Sequence, residues 1–226
     1  AHIHFTTNQQ ASNRLLAMGE APWRVHTVGF PAIDLIQENN YATPDELVEQ
    51  YNLDLAKPVI LFTQHSVTTE FHEAVNQIKP ALHTIKKLAL EGAQIIITYP
   101  NNDAGGRKII DTINEFNSKE FLGEKNIQIH SSLGRYNYHG ILALAKNSDN
   151  KVCCVGNSSS GIKETPAFGC PTVNIGSRQE GRLRAENVIE ADYDEVSIYN
   201  AILMCVNDKN FRENCLKCLN PYGIGD

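Results

Sequence analysis

Val152-Cys153-Cys154-Val155 runs into Gly156-Asn157-Ser158-Ser159-Ser160-Gly161, then Ile162 to Phe168, Gly169-Cys170-Pro171 and Thr172-Val173-Asn174-Ile175. The apolar quartet reads as a buried strand, Ile162 to Phe168 as a helix, and Thr172 to Ile175 as a second strand. Strand, turn, helix and strand at this spacing make a βαβ unit, which calls for parallel strands with the helix on one face. The turn also carries chemistry. Glycine and serine between a strand end and a helix start leave backbone N–H groups free to face an anion, and the helix dipole adds to that field. The unit closes on Arg178-Gln179-Glu180-Gly181-Arg182-Leu183-Arg184 and then Glu186-Asn187. Serine hydroxyls and guanidinium forks both donate to phosphate oxygens. The expectation is a phosphate-binding turn for a nucleotide or a nucleotide sugar.

The same alternation extends outward. His2 to Thr6 reads as a strand, Gln9 to Met18 as a helix ended by Gly19, and Val25 to Val28 as a second strand. The polar stretch from Gly29-Phe30-Pro31 to Asn40 reads as a linker. Thr43-Pro44-Asp45-Glu46 is a helix start, with threonine at the cap, proline first inside and glutamate three residues after the threonine. Pro58 to Thr63 is a continuous apolar run, as a strand covered on both faces requires. Phe71, Val75, Ile78, Leu82, Ile85 and Leu88 then recur at helical steps, with a kink or break expected at Pro80. Further on, Gln94–Thr98 and Ile127–Ile129 read as strands, and Ala104–Phe116, Tyr138–Lys146 and Glu195–Cys218 as helical segments. Repeated units of this kind predict an α/β fold with a doubly wound parallel sheet, whose ligands bind at the carboxyl ends of the strands. Four strand-end loops then become site walls: Thr63–Ser66, Tyr99–Gly105, Ser131–Tyr136 and Gly156–Gly161.

The whole chain sets limits. At 226 residues, 42% hydrophobic and 20% charged, it can bury a full core and belongs with ordinary globular chains. A net charge of −6 argues against a nucleic-acid partner, which needs a basic stripe. No apolar run reaches the length of a membrane span, so no membrane partner is expected. Six cysteines include a lone Cys215-Leu216-Lys217-Cys218 without a second ligand pair, which favours free thiols in a reducing cytoplasm over a metal site.

Among single residues, His65 stands directly after a buried strand, where it can donate to phosphate or move a proton near neutral pH. The plainer role is a capping histidine at the turn. The other histidines, His2, His4, His26, His72, His83, His130 and His139, read as structural or surface residues. Ser158, Ser159 and Gly161 are the core of the anion turn, although one serine would serve as an ordinary helix cap. Glu164, one turn on, suits two ribose hydroxyls, against the plainer role of a first-turn acid on the helix dipole. Arg178 and Arg182 gain weight from their neighbourhood, since alone they describe a solvated basic loop.

The run from Gly156 to Val188 closely resembles the hydrolysing UDP-N-acetylglucosamine 2-epimerases of the sialic acid biosynthesis type. So do His2–Asn8, Arg24–Gly29, Gln64–Glu70, Pro100–Gly105 and Asn220–Gly223. Gly156-Asn157-Ser158-Ser159-Ser160-Gly161-Ile162 resembles that branch more than the non-hydrolysing one, whose loop reads Asp-Ser-Gly-Gly-Ile. The resemblance implies the Rossmann-like C-terminal half of a two-domain, glycosyltransferase-B-type fold. Residues 1–40 would be a remnant of the N-terminal domain with its linker, and residues 41–226 the UDP-binding domain. The chain is accordingly expected to be a fragment, with further acidic catalytic residues in the other domain. The resemblance implies UDP contacts from Asn101, Ser158, Ser159, Gly161, Glu164, Arg178 and Arg182, and a catalytic role for His65. Arg107 falls near where animal relatives bind a feedback inhibitor. A UDP-sugar substrate, no cofactor, no metal, a cytoplasmic location and a homo-oligomer, dimer or tetramer, are implied too. A UDP-sugar glycosyltransferase of the same fold and an inactive UDP-binding fragment remain as alternatives at this point.

Overall fold

The computed structural model describes residues 1–223. β1 (His4–Thr6) and β2 (Val25–Thr27) pair in parallel as a small sheet, with α1 (Gln9–Ala17) crossing between them. α2 (Ala32–Gln37) and α3 (Pro44–Tyr51) lead into a larger sheet. Its strands are β3 (Val59–Thr63), β4 (Gln94–Thr98), β5 (Ile127–His130), β6 (Val152–Gly156), β7 (Thr172–Ile175) and β8 (Val188–Ala191). They lie in the order β5-β4-β3-β6-β7-β8, and all neighbours are parallel. The helices around them are α4 (Ala74–Leu90), α5 (Gly106–Lys119), α6 (Gly134–Ala143), α7 (Ser160–Lys163), α8 (Thr165–Phe168), α9 (Glu195–Asn207) and α10 (Lys209–Cys215). This is the doubly wound sheet that the alternating pattern predicts.

Successive side chains of a strand point to opposite faces, so a run apolar at every position serves two cores. In β3, Ile60 and Phe62 join Ile95, Ile97, Cys153 and Val155 against α4, α5 and α9. Val59 and Leu61 join Ile96, Val152 and Cys154 on the other face, against α2, α3 and α6. The helix start at Thr43 is observed as a capping box, its hydroxyl accepting from the Glu46 N–H while the Glu46 carboxylate accepts from the Thr43 N–H.

Several local expectations are corrected. The polar stretch before Asn40 is not a bare linker: it holds α2, whose Ile33 and Ile36 sink into the same core as Leu47 and Leu61. Two isoleucines three apart were enough to make one buried face. Phe71 is exposed, because residues 68–73 form a separate 3₁₀ turn and the buried stripe of α4 begins at Ala74. Pro80 does not end α4, since Ile78, Ala81 and Leu82 around it are fully buried and their packing outweighs one lost backbone bond. The segment Ile162–Phe168 is two four-residue turns meeting at Glu164. Pro166 explains the break, because it has no N–H to return to the Ile162 carbonyl. β8 was not anticipated. Glu195–Cys218, expected to hold one or two helices, holds two, α9 and α10, divided at Asp208, whose carboxylate caps the second.

Candidate functional site

In a sheet of this order the strand succession reverses between β3 and β6, and the crevice outside their carboxyl ends is where ligands bind. Thr63 ends β3 directly opposite Gly156, which ends β6. Gly156 has φ +130°, and a Cβ there would stand 1.9 Å from the Thr63 carbonyl oxygen. Only glycine permits this junction. Beyond it the two chains part, and Asn157 ties them together. Its Oδ1 accepts from the His65 backbone N–H at 2.7 Å, and its Nδ2 donates to the His65 carbonyl at 2.9 Å. Its own carbonyl accepts from Arg178 Nη1 at 3.1 Å and Gln179 Nε2 at 2.7 Å.

Around that tie the loops after β3, β4 and β7 converge. The Asn101 N–H donates to His65 Nδ1 at 3.0 Å, so the ring proton belongs on Nε2. Burial, and then the Arg178 guanidinium, push the His65 pKa from 6.5 down to about 4, against the pull of Asp103. At neutral pH His65 is therefore an uncharged ring with an Nε2–H donor. Asp103 accepts from Asn101 Nδ2 at 2.9 Å and pairs with Arg178 Nη2 at 3.1 Å, and these two bonds hold its carboxyl below the usual range. Arg178 is thus held by both walls. Ser66 Oγ donates to the Ala104 carbonyl at 2.5 Å and closes the rear of the cluster.

The serine turn is more open. Ser158 Oγ accepts from the Ser160 N–H at 3.3 Å, and the Ser159 hydroxyl takes no partner among the described residues. Gly161 packs beneath, where a Cβ would meet Thr172 Cγ2 at 3.1 Å. α7 is only four residues long, so its dipole is weaker than the helix expected here. Glu164 turns toward α6, and its Oε2 accepts from His139 Nε2 at 2.8 Å and from Ser160 Oγ at 3.0 Å. Arg182 does not join Arg178. It is exposed, and its charge acts on Lys163 and Tyr222, beside a cavity of about 500 Å³ lined by Asn8, Gly29, Phe30 and Tyr222. Lys163 lies over the Phe30 and Tyr222 rings at 4.7 and 5.6 Å, which places that cavity next to the serine turn. Arg14 of α1 reaches the same loop, donating to the Gly181 carbonyl at 2.8 Å.

The structure thus gathers His65, Asn101, Arg178 and Ser158 through Asn157, sets Glu164 one turn away, and leaves Arg182 outside that cluster, beside Lys163 and Tyr222. Arg107 is exposed on α5 and pairs with Asp111 at 3.6 Å. Asn157, Asp103, Gln179 and His139 were not singled out from the sequence. Asn157 had a signal, because an amide directly after a strand-ending glycine has two backbones within reach. His139 had none. The cysteines are free, and burial pushes the Cys154 and Cys215 thiols up to about 12. Among the described residues no cluster of His, Cys, Asp or Glu could hold a metal, and no helix is long and apolar enough to cross a membrane.

A doubly wound sheet with polar loops and an arginine at its switch point defines a Rossmann-like α/β domain, whose ligands bind at that crevice when it has any. The family model for UDP-N-acetylglucosamine 2-epimerase matches residues 1–226, and the chain belongs to that family. A UDP-N-acetylglucosamine 2-epimerase of Neisseria meningitidis serogroup B is 34% identical over 202 residues, 89% of this chain and 49% of that protein. A hydrolysing UDP-N,N′-diacetylbacillosamine 2-epimerase of Legionella pneumophila is 34% identical over 226 residues, 100% of this chain and 55% of that protein. The chain therefore spans about half the length of these relatives. The crystal structure of the Neisseria meningitidis UDP-GlcNAc 2-epimerase bound to UDP-GlcNAc superposes with a TM-score of 0.72 at 19% identity, over 100% of this chain and 58% of that one. That likeness shows the fold, and this chain forms one Rossmann-like half of a glycosyltransferase-B-type architecture.

Proposed function

We propose that the protein carrying this chain is a hydrolysing UDP-N-acetylglucosamine 2-epimerase and that this chain holds UDP. In that reaction the C2 proton and UDP leave the sugar to give a glycal. Water then adds, its oxygen to C1 and a proton to C2 on the opposite face, yielding N-acetylmannosamine and UDP. The leaving-group side is assigned to the residues described above. The observation that carries the reading is the convergence of His65, Asn101, Asp103 and Arg178 at the switch point, beside the serine turn. Negative charge grows on the diphosphate as its bond to C1 breaks, and fixed donors aimed there lower that barrier. The Nε2–H of His65 and the Arg178 fork are such donors, the turn at Ser158, Ser159 and Gly161 holds phosphate oxygens, and Asn101 contacts the nucleotide. Glu164 accepts from ribose, and Arg182, beside Lys163, faces the UDP-sugar.

The same proposal divides the chain near residue 40, and makes the protein a cytoplasmic homo-oligomer, in keeping with its free thiols. Size-exclusion chromatography with light scattering would show the assembly. A second sugar has a specific support: the Legionella relative, at the same 34% identity as the Neisseria one, is named for diacetylbacillosamine. The deciding experiment incubates the protein with UDP-N-acetylglucosamine, and separately with the diacetamido analogue, in water without an acceptor. Free N-acetylmannosamine and UDP are expected in the first. Stable UDP-sugar in both would end the proposal, and release only from the second would replace the substrate.

A further inference from the structure

We propose that His139 is a positioning residue for Glu164 and sets a preference for nucleotides with an intact ribose; this rests on the UDP reading above. Glu164 stands at the joint of α7 and α8 with its side chain 17% exposed. Both of its hydrogen bonds fall on one oxygen: Oε2 takes His139 Nε2 at 2.8 Å and Ser160 Oγ at 3.0 Å, while Oε1 takes none among the described residues. A vicinal diol needs both oxygens of one carboxylate. The two present donors differ in how they can respond. The Ser160 hydroxyl rotates about one bond and can give up its place to a ligand hydroxyl. His139 cannot. It is 2% exposed on α6, its ring 5.4 Å from that of Phe168, and its Nδ1 has no partner among the described residues.

That unpartnered Nδ1 is informative. An imidazole buried with one nitrogen unsatisfied costs free energy that an apolar side chain of similar size would avoid. With no acceptor at Nδ1, the proton belongs on Nε2, where it can only serve Glu164. Lys163, Tyr138 and Cys154 also feel the Glu164 charge, and Lys163 competes for it. His139 keeps the carboxylate turned into the α6–α8 seam, with Oε1 open and one side of Oε2 exchangeable.

The test is calorimetric titration of the protein and its variants with UDP and with 2′,3′-dideoxyuridine diphosphate. The unaltered protein should prefer UDP. His139→Leu is expected to cut that preference about tenfold, the effect of one lost bond to a charged group. His139→Gln, whose amide nitrogen can replace Nε2, should retain most of it, and affinity for the dideoxy compound should stay level throughout. If the leucine variant does not fold, His139→Asn, polar but too short, gives the same reading. Ser160→Ala should leave the preference in place, and a loss as large as that of His139→Leu would overturn the division of roles. Equal weakening toward both ligands, or an unchanged preference in folded variants, overturns the inference. Glu164→Gln separates the two levels. If it leaves the preference intact, or if the unaltered protein binds no UDP, the site reading falls and this inference with it. If it abolishes the preference while His139→Leu does not, only the role of His139 falls.

Discussion

The two walls of the crevice are built differently. On the side of β3 and β4, His65, Asn101 and Asp103 are bonded to one another, to Asn157 after β6 and to Arg178 after β7, without any ligand. On the side of β6, the Ser159 hydroxyl has no partner among the described residues and Glu164 is bonded away toward α6. The first wall pays its ordering cost on folding, so its dipoles need no rearrangement as charge develops. The second must exchange or order bonds when a ligand arrives, and each exchange returns less. Under the proposed function, the difference gives charge stabilisation to the fixed wall and ground-state grip to the open one.

The change that should break both walls together is Gly156→Ala. Its Cβ would stand 1.9 Å from the Thr63 carbonyl oxygen, at a φ of +130° that an alanine rarely adopts. The expected loss is about 4 kcal/mol or more of folding stability, read from urea unfolding. An unchanged midpoint would show that β3 and β6 can separate at this point without cost. Arg178→Ala should come next and act on the fixed wall alone. Two acceptors, Asp103 and the Asn157 carbonyl, are held by two arms of one fork. Turnover is expected to fall about 10²- to 10³-fold, as for removal of a preorganised donor. Arg178→Lys should recover little, because an ammonium cannot span both acceptors. If the loss appears wholly in KM, Arg178 belongs to the gripping wall and the comparison is drawn in the wrong place.

How far this difference was legible in the sequence depends on range. The strands β3, β4 and β6 were readable because burial on both faces leaves three or four apolar residues in a row, and β7, Thr-Val-Asn-Ile, because it follows the Gly169-Cys170-Pro171 turn. β8 was not: as an edge strand with Glu190 inside it, Val188–Ala191 lacks that run. Serines and glycines in the turn after β6 announced themselves, since small residues at a strand end have a local reason. The ring on the other wall did not. Asn157 meets His65 across 92 residues and Arg178 meets Asp103 across 75, and no spacing rule reaches that far. His139 was invisible for the same reason, its partner being Glu164 on the neighbouring turn of the fold. Arg178 and Arg182, four apart, were read as a pair, and the 3₁₀ turn at Ser177–Gln179 with Gly181 after it gives them different neighbours, Asn157 and Asp103 for the first, Lys163 and Tyr222 for the second.

A milder test of the fixed wall uses pH. His65 has its pKa lowered from 6.5 to about 4, so between those values the unfolded chain binds a proton that the folded chain does not. Stability then rises with pH through this window, is complete above about 6.5, and is lost as pH falls toward 4. At about 1.4 kcal/mol per unit, discounted for partial exposure, the effect should total about 1–3 kcal/mol. Urea unfolding at pH 4.5 and 7 should show a smaller difference in His65→Gln than in the unaltered protein. Parallel behaviour would mean that the ring is wetter than the fixed wall requires. Asp103 does not confuse the reading, because its lowered pKa places its own loss below the ordinary carboxylate value of 3.8.

Ser159→Ala should give the smallest effect and the one that best isolates the open wall. The hydroxyl has no partner among the described residues, so its removal leaves none of them unsatisfied and stability should not move. UDP affinity should fall by about 1 kcal/mol, roughly fivefold, if the hydroxyl gives one hydrogen bond to phosphate. Ser158→Ala is the control within the same turn. Its Oγ accepts from the Ser160 N–H, so that variant should weaken both UDP binding and the turn itself. Calorimetry and a melting curve on each variant separate the cases. If Ser159→Ala binds UDP unchanged, the turn holds phosphate through its backbone N–H groups alone, and the open wall is open only to water.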